Sequence, residues 1–332
     1  MSDAAHNTPV RSATVIAEPV RLPRRRFLQA TGAMAAAGLL RPLAAEEPHS
    51  AWLRRSLKGG MLNVPGDWTA KLNAAKAARF EGVEPNTGRD LDVDALAKAA
   101  KETGVTVDGT VGGYHWQVRH SDPDKAVRKE AMELLMLSLQ QTHDLGADTF
   151  LIVPGHGKDG TTEEVNDRAK AALEEALPTA ERLGVRILIE NVWNQMFYDA
   201  AGGEDQSAQA LADFIDSFDS PWVGTQFDLG NHWKFGDVAE WVTTLGPRIM
   251  KLDIKGFSRE TGKFTDIGEG DIDWAGVRTA LADVGFTGWL AAEVGGGDET
   301  RLRKIADQMD AALHCDKSLS DVRAQGAARA TG

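Results

Sequence analysis

The chain has 332 residues, 42% of them hydrophobic and 26% charged, a balance that suits a soluble globular protein and excludes collagen-like, coiled-coil and disordered architectures. Its 37 basic side chains against 49 acidic ones give a formal charge of −12, which argues against a nucleic-acid partner. A single cysteine, Cys315, excludes an internal disulfide framework and a cysteine-rich zinc site, and the length suits one α/β barrel as well as two smaller domains.

Residues 1–45 read as an export signal. Pro23-Arg24-Arg25-Arg26-Phe27-Leu28-Gln29 is a basic start, the small and apolar run from Ala30 to Leu40 follows, and Ala44-Ala45 gives a small-residue end. Paired arginines, one variable residue, Phe and Leu resemble the twin-arginine signal, which implies the twin-arginine export machinery as a partner and a periplasmic destination. The apolar run falls short of the roughly 20 residues a membrane span needs. No cysteine lies beside Ala44-Ala45, so no stable membrane anchor is expected. Six arginines against Asp3 and Glu18 give this leader +4, so residues 46–332 carry −16.

From Leu57 onward short apolar runs alternate with longer amphipathic ones. Strands are expected at Leu57–Leu62, Glu81–Glu84, Val105–Thr110, Thr149–Val153, Val185–Ile189, Trp222–Phe227, Ile249–Ile254 and Gly288–Ala292. Helices are expected at Trp68–Ala78, Val93–Glu102, Lys125–Asp144, Val165–Leu183, Ser207–Phe218, Val238–Leu245, Trp274–Val284 and Glu299–Leu313. Asp, Ser or Thr stands at many helix starts and Gly at several ends. Eight strand–helix units predict a (β/α)8 TIM barrel as a single α/β domain over residues 46–315, with a doubly wound open sheet as the alternative. Residues 316–332 lack helical periodicity and read as a flexible tail.

In a barrel of this kind, chemistry belongs at the C-terminal strand ends. Four consecutive strands finish there in a carboxylate: Glu190, Asp228, Asp253 and Glu293. Side chains alternate along a strand, so Leu188 and Glu190 share a face, as do Gln226 and Asp228, Lys251, Asp253 and Lys255, and Ala291 and Glu293. The opposite faces, such as Ile187 and Ile189 or Leu252 and Ile254, are apolar and suit packing against helices. Neighbouring strands lie about 4.8 Å apart, so four inward carboxylates would crowd into one mouth. They cannot all ionise in a poorly solvated pocket unless protons or a cation neutralise them. A divalent metal satisfies that condition, and an oxygen-rich set favours Mn2+ or Mg2+, with Co2+ or Zn2+ as further possibilities.

Ile189-Glu190-Asn191, Phe227-Asp228-Leu229-Gly230-Asn231, Gly268-Glu269-Gly270-Asp271-Ile272-Asp273-Trp274 and Ala292-Glu293-Val294 together resemble the xylose isomerase-like TIM-barrel family, which includes sugar-phosphate isomerases/epimerases and ketose 3-epimerases. The resemblance covers most of residues 55–315. It implies metal ligands at Glu190, Asp228 and Glu293; Asp253 stands where relatives commonly carry a histidine, either as the fourth ligand or as a supporting group behind the ligands. It also implies that Glu190 and Glu293 serve as acid–base groups, with Lys255 beside a developing oxyanion, and it leaves homo-oligomers through barrel-end loops open.

Near the same strand ends stand His115, His156 and His232, the tryptophans Trp116, Trp193 and Trp233, Asn231 and Glu84. An aromatic face suits the C–H face of a sugar, so His115, Trp116, His156, Trp193, Asn231, His232 and Glu84 are the expected substrate-binding set. The activity expected is metal-dependent isomerisation or epimerisation through proton abstraction α to a carbonyl and an enediolate. An exported protein meets unphosphorylated sugars or keto-sugars, and the rim lacks an arginine cluster for phosphate. A 3-keto-glycoside lyase or keto-glucal hydratase would share the opening step, and a non-catalytic sugar-binding barrel is the remaining alternative. The superfamily's DNA-repair endonucleases fit poorly to a −16 domain with few strand-end histidines.

Overall fold

The computed structural model describes residues 51–330. The export signal expected at residues 1–45 lies outside the described residues. Within the described part, β1 (Leu53–Leu57) leads to α1 (Trp68–Ala77), and the second barrel strand follows in two pieces, β2 (Gly82–Val83) and β3 (Asn86–Thr87). After α2 (Val93–Thr103) the third strand is likewise split, into β4 (Thr106–Val107) and β5 (Thr110–Gly112). The chain continues through α3 (Lys125–Asp144), β6 (Thr149–Ile152), α4 (Thr162–Leu183), β7 (Arg186–Glu190), α5 (Gln209–Asp216), β8 (Val223–Asp228), α6 (Leu229–Trp233) and α7 (Val238–Leu245). Last come β9 (Ile249–Ile254), a small hairpin of β10 (Gly256–Ser258) and β11 (Lys263–Thr265), α8 (Trp274–Asp283), β12 (Gly288–Ala292), α9 (Glu299–Leu313) and α10 (Leu319–Ala330).

The main sheet runs β1-β12-β9-β8-β7-β6-β5-β3, and every pairing in it is parallel. Backbone bonds close the ring on its other side, where Glu81 and Glu84 N–H donate to Arg55 and Leu57 carbonyls at 2.9 Å and Gly59 N–H donates to Glu84 O at 2.7 Å. This is the (β/α)8 barrel, not an open doubly wound sheet. Helix starts were legible for a physical reason: Asp67, Asp92, Asp124, Asp237, Asp273 and Asp298 each accept a backbone N–H in the first turn, and Thr161 completes a capping box with Glu164.

Four expectations need correcting. β1 lies upstream of Leu57–Leu62, because its Arg54 and Arg55 disguise a strand: Arg54 stacks over Trp289 at 3.8 Å, and Arg55 pairs with Asp310 at 2.6 Å. Pro85 has no N–H for the ladder and splits the second strand. At the break in the third strand, a Cβ on Gly109 would come within 2.5 Å of Thr149 Oγ1 and 2.7 Å of Lys251 Nζ, so the chain kinks at a residue with no side chain. The C-terminal segment is not structureless: α10 is started by Ser318, whose hydroxyl accepts Asp321 N–H at 3.2 Å, and is fastened by buried Val322 and by Arg323 donating to Ala282 O at 2.9 Å. Its alanines supply helix propensity where an amphipathic stripe is lacking.

The main apolar core lies between the sheet's outer face and the helices, with Leu53, Leu57, Phe150, Ile187, Ile189, Leu252 and Ile254 buried there. Cys315 is fully buried beside it, as packing. The barrel's inside is polar instead, holding Ser56, Glu84, Asp108, Gln226, Lys251 and Asp253 out of solvent. Among the described residues no helix is long and apolar enough to cross a membrane.

Candidate active site

Glu190 ends β7, Asp228 ends β8, Asp253 lies near the end of β9, and Glu293 follows β12. Glu190 registers with Gln226, and Asp228 with Asp253, so strand pairing alone brings these positions together. One oxygen from each of the four carboxylates lies within 4.8 Å of the others. The Asn after Glu190 fixes part of this geometry: Asn191 Nδ2 donates to Asp228 O at 2.9 Å and Asn191 Oδ1 accepts Asp228 N–H at 2.7 Å. Asp228 then caps α6 by accepting Asn231 N–H at 2.8 Å. Lys255 Nζ sits between two of the acids, 2.7 Å from Asp228 Oδ2 and 2.9 Å from Glu293 Oε2.

The electrostatics are those of an over-acidic interior. Among the described residues, Glu84, Asp108, Glu190, Asp228, Asp253 and Glu293 face three ammonium groups there, those of Lys58, Lys251 and Lys255. Burial and then the neighbouring charges of Glu293, Asp253 and Asp228 raise the Glu190 carboxyl well above the usual range. Burial also raises Asp253 above the usual carboxylate range and pushes Asp228 up to about 6, while the Lys58 and Lys255 ammonium groups respectively favour their charged forms. Burial opposes ionisation of Glu84 too, but Lys251 and Lys58 overcome it and hold this group down to about 2. A dication among the converging oxygens would offset two of the excess negative charges, and an all-oxygen set suits a hard one. The residues therefore fit a divalent cation by charge and donor type.

A cavity of about 690 Å³ opens above the acids, and Glu190, Glu293 and Lys255 line it together with His115, Trp116, Trp193 and Asn231. Glu293 is the most open of the acids, its side chain 38% exposed. His115 is buried with Nδ1 accepting Val153 N–H at 3.3 Å, and burial pushes its imidazole down to about 3. Trp193 donates from Nε1 to Asn231 O at 2.7 Å and stacks on Phe264 with ring centroids 4.9 Å apart.

Three members of the expected binding set are elsewhere. Glu84 is fully buried beneath the cavity, both oxygens taken by Lys58, Lys251 and Gln226. His232 turns into the core, stacking on Trp241 at 3.7 Å, with Nε2 at 3.1 Å from Asp237 O. His156 starts a short turn, its Nδ1 accepting Lys158 N–H at 3.1 Å, outside the cavity lining. Trp233, named beside them in the sequence, stacks under Arg259.

Conversely, Lys58, Asn86 and Phe264 line the cavity without having been singled out. Phe264 comes from the β10–β11 hairpin, which follows β9 where a helix was the only element expected. Lys58 falls within the Leu57–Leu62 run whose apolar residues suggest a strand, whereas the strand itself ends at Leu57. The one available signal was alternation from Arg54 through Ser56 to Lys58 along the true β1.

Residues 72–313 match the family model described as xylose isomerase-like TIM barrel. The chain is 27% identical over 179 residues to the uncharacterized protein MJ1311 of Methanocaldococcus jannaschii, covering 51% of this chain and 58% of that one. It is 25% identical over 251 residues to the putative L-ribulose-5-phosphate 3-epimerase SgbU of Escherichia coli, covering 68% and 83%. Among solved structures, the fold resembles an L-ribulose 3-epimerase (TM-score 0.64, 21% identity, 84% and 97% covered). It also resembles the 3-keto-D-glucoside 4-epimerase YcjR of E. coli (0.66, 16%, 79% and 100%) and the IOLI protein with a bound zinc atom (0.65, 16%, 79% and 98%). The barrel, the converging acids and the extent of the family match lead to one statement of kinship: this chain belongs to the xylose isomerase-like TIM-barrel family.

Proposed function

We propose that this protein is a divalent-metal-dependent sugar epimerase or isomerase that works by proton abstraction α to a carbonyl, on an unphosphorylated sugar or keto-sugar. The observation that carries this reading is the pair Glu190 and Glu293. They enter one cavity from β7 and from the end of β12, with β8 and β9 between them, and so can address a bound sugar from two sides.

Glu190, Asp228 and Glu293 would hold the cation, which when bound polarises a carbonyl and its adjacent hydroxyl as a Lewis acid. One glutamate removes the proton on the carbon next to the carbonyl, and the C–H electron pair moves towards the carbonyl oxygen to give an enediolate. Lys255 supplies a positive charge to the developing oxyanion. Return of a proton by the other glutamate to the opposite face gives the epimer; return to the neighbouring carbon gives the isomer. Trp116 and Trp193 offer apolar faces to the sugar ring, and His115, neutral because it is buried, offers a polar edge to a hydroxyl.

The unphosphorylated reading is supported by the cations at the cavity wall. Lys58 and Lys255 are the basic side chains that line it, and both are already bonded to carboxylates. A twin-arginine leader agrees with it, since export would bring the barrel to sugars outside the cytoplasm. The cavity is also large enough for more than a monosaccharide, which favours as a second reading a lyase that loses a glycosidic oxygen from the β-carbon of the same enediolate, or a hydratase that runs this elimination in reverse, adding water to the β-carbon of an unsaturated ketone and returning a proton to the α-carbon. Carbon-13 NMR of products from a panel of free ketoses and 3-keto-glycosides, incubated with Mn2+-loaded protein, tests both. Epimer or aldose supports the first reading, an unsaturated or hydrated product supports the second, and intact substrate throughout contradicts both.

A further inference from the structure

Below the cavity floor, four side chains from four barrel strands form a closed ring. Gln226 Nε2 donates to Glu84 Oε2 at 2.9 Å and to Asp253 Oδ1 at 2.7 Å. Lys58 Nζ donates to the same two acids, to Glu84 Oε2 at 2.6 Å and to Asp253 Oδ2 at 2.9 Å. Both oxygens of Asp253 are therefore engaged by donors that belong to the ring. Asp253 is fully buried and sits one side-chain repeat nearer the barrel floor than Glu293, since its register partner on β12 is Ala291.

Lys58 differs from the deeper Lys251. Lys251 is sealed off, with Glu84, Asp108 Oδ2 at 2.7 Å and Asp108 O at 3.3 Å around its ammonium. Lys58 spends two of its three N–H groups on the ring, keeps 14% of its side chain exposed, and lines the cavity.

We infer that Asp253 is not a ligand of the cation but the counter-ion that, with Glu84 and Gln226, fixes Lys58 so that its remaining N–H meets a substrate oxygen in the cavity. This rests on the metal-dependent reading above. Lys58 and Lys255 then flank the reacting centre as two fixed hydrogen-bond donors. Asp253 is a positioning residue, and its carboxylate occupies a place that a neutral ligand could not fill without leaving the Lys58 ammonium short of an acid.

The test is Mn2+ titration of the full-length protein by calorimetry and by the electron-paramagnetic-resonance signal of the free ion, with folding of each variant checked by circular dichroism. Asp228→Asn and Glu190→Gln are expected to lose Mn2+ affinity by ~100-fold or more, whereas Asp253→Asn stays within the ~10-fold lower end of an indirect effect. Lys58→Met is expected to bind Mn2+ more tightly than the parent, because a competing cation is gone and Asp253 is released. On the panel sugar that the parent turns over best, Lys58→Met is expected to lose ~100-fold in kcat with a smaller change in KM, and Lys58→Arg to recover part of it. Equal loss of Mn2+ in Asp253→Asn and Asp228→Asn overturns the assignment while leaving the metal reading intact. Parental kcat in Lys58→Met overturns the substrate role of Lys58. A parent protein that binds no Mn2+ overturns the metal reading, and this assignment falls with it.

Discussion

Asn191 clasps Asp228 through its backbone, donating to the carbonyl at 2.9 Å and accepting the N–H at 2.7 Å, so that a side-chain amide continues the β7–β8 ladder past the end of β7. That clasp is the physical content of the Glu-Asn and Phe-Asp-Leu-Gly-Asn motifs: it places the Glu190 and Asp228 carboxyls side by side. The second Asn extends it, with Asn231 Nδ2 donating to Asn191 O at 3.0 Å.

Asn191→Leu should therefore damage both fold and site. Asp228 N–H and O would be left buried without their partner, a cost of about 1–3 kcal/mol per unsatisfied group. Chemical denaturation should show that loss, together with weaker Mn2+ binding. A variant with parental stability and affinity would contradict the clasp's role.

The tryptophan at the cavity rim gives a prediction that separates binding from folding. Trp116 is 48% exposed and lines the cavity, so Trp116→Ala should leave the melting temperature nearly unchanged. It should weaken sugar binding by about 0.5–1.5 kcal/mol, the worth of an aromatic contact beyond its area. Equilibrium binding measured alongside thermal unfolding checks both halves.

Acid stability should depend on the buried histidines. Burial pushes His120 down to about 4, whereas a histidine in the unfolded chain titrates near about 6.5. Between these values the unfolded chain binds the extra proton, so stability is complete above about pH 6.5 and falls as the pH drops towards about 4. Buried His115 and His232, each pushed down to about 3, add slopes of the same sign. His120→Gln should flatten the decline of the urea midpoint between pH 6.5 and pH 4, and an unchanged slope would contradict the assignment.

The twin-arginine reading of residues 1–45 carries a prediction of its own. Replacing Arg24 and Arg25 together with lysine should retain the protein in the cytoplasm of a host that carries a twin-arginine pathway. Fractionation followed by immunoblotting reads this directly, and undiminished export would point to another signal.

Much of the site was legible because of local alternation. On β7, β8, β9 and β12, apolar residues mark the helix-facing side and acids appear in phase on the other, so Glu190, Asp228, Asp253 and Glu293 could be grouped before any contact was known. What alternation does not carry is long-range partnering. Lys58 and Asp253 are 195 positions apart, and Gln226 and Glu84 are 142 apart. Glu84 reads as a rim residue in the sequence because a strand-end acid looks the same whether water or two lysines meet it. His232 failed for a related reason: its position just after Asp228 fits a rim residue, but one helical turn carries its ring away into the Tyr198 and Trp241 stack. β1 and α10 were missed where chemistry overrode pattern, in one case through arginines paired and stacked inside a strand and in the other through an alanine-rich helix with few apolar anchors.

If Glu190 and Glu293 move a proton at the carbon next to a sugar carbonyl, proton NMR in D2O will register it as isotope exchange. With Mn2+-loaded protein and a panel of free ketoses and 3-keto-glycosides, deuterium should enter that position, and a chelator should stop it. Glu190→Gln and Glu293→Gln should each slow the exchange by ~10²–10⁴-fold, the usual worth of a positioned acid–base group. Exchange that persists at the parental rate in both variants, or no exchange with any sugar by a protein that holds Mn2+, would contradict that proton transfer.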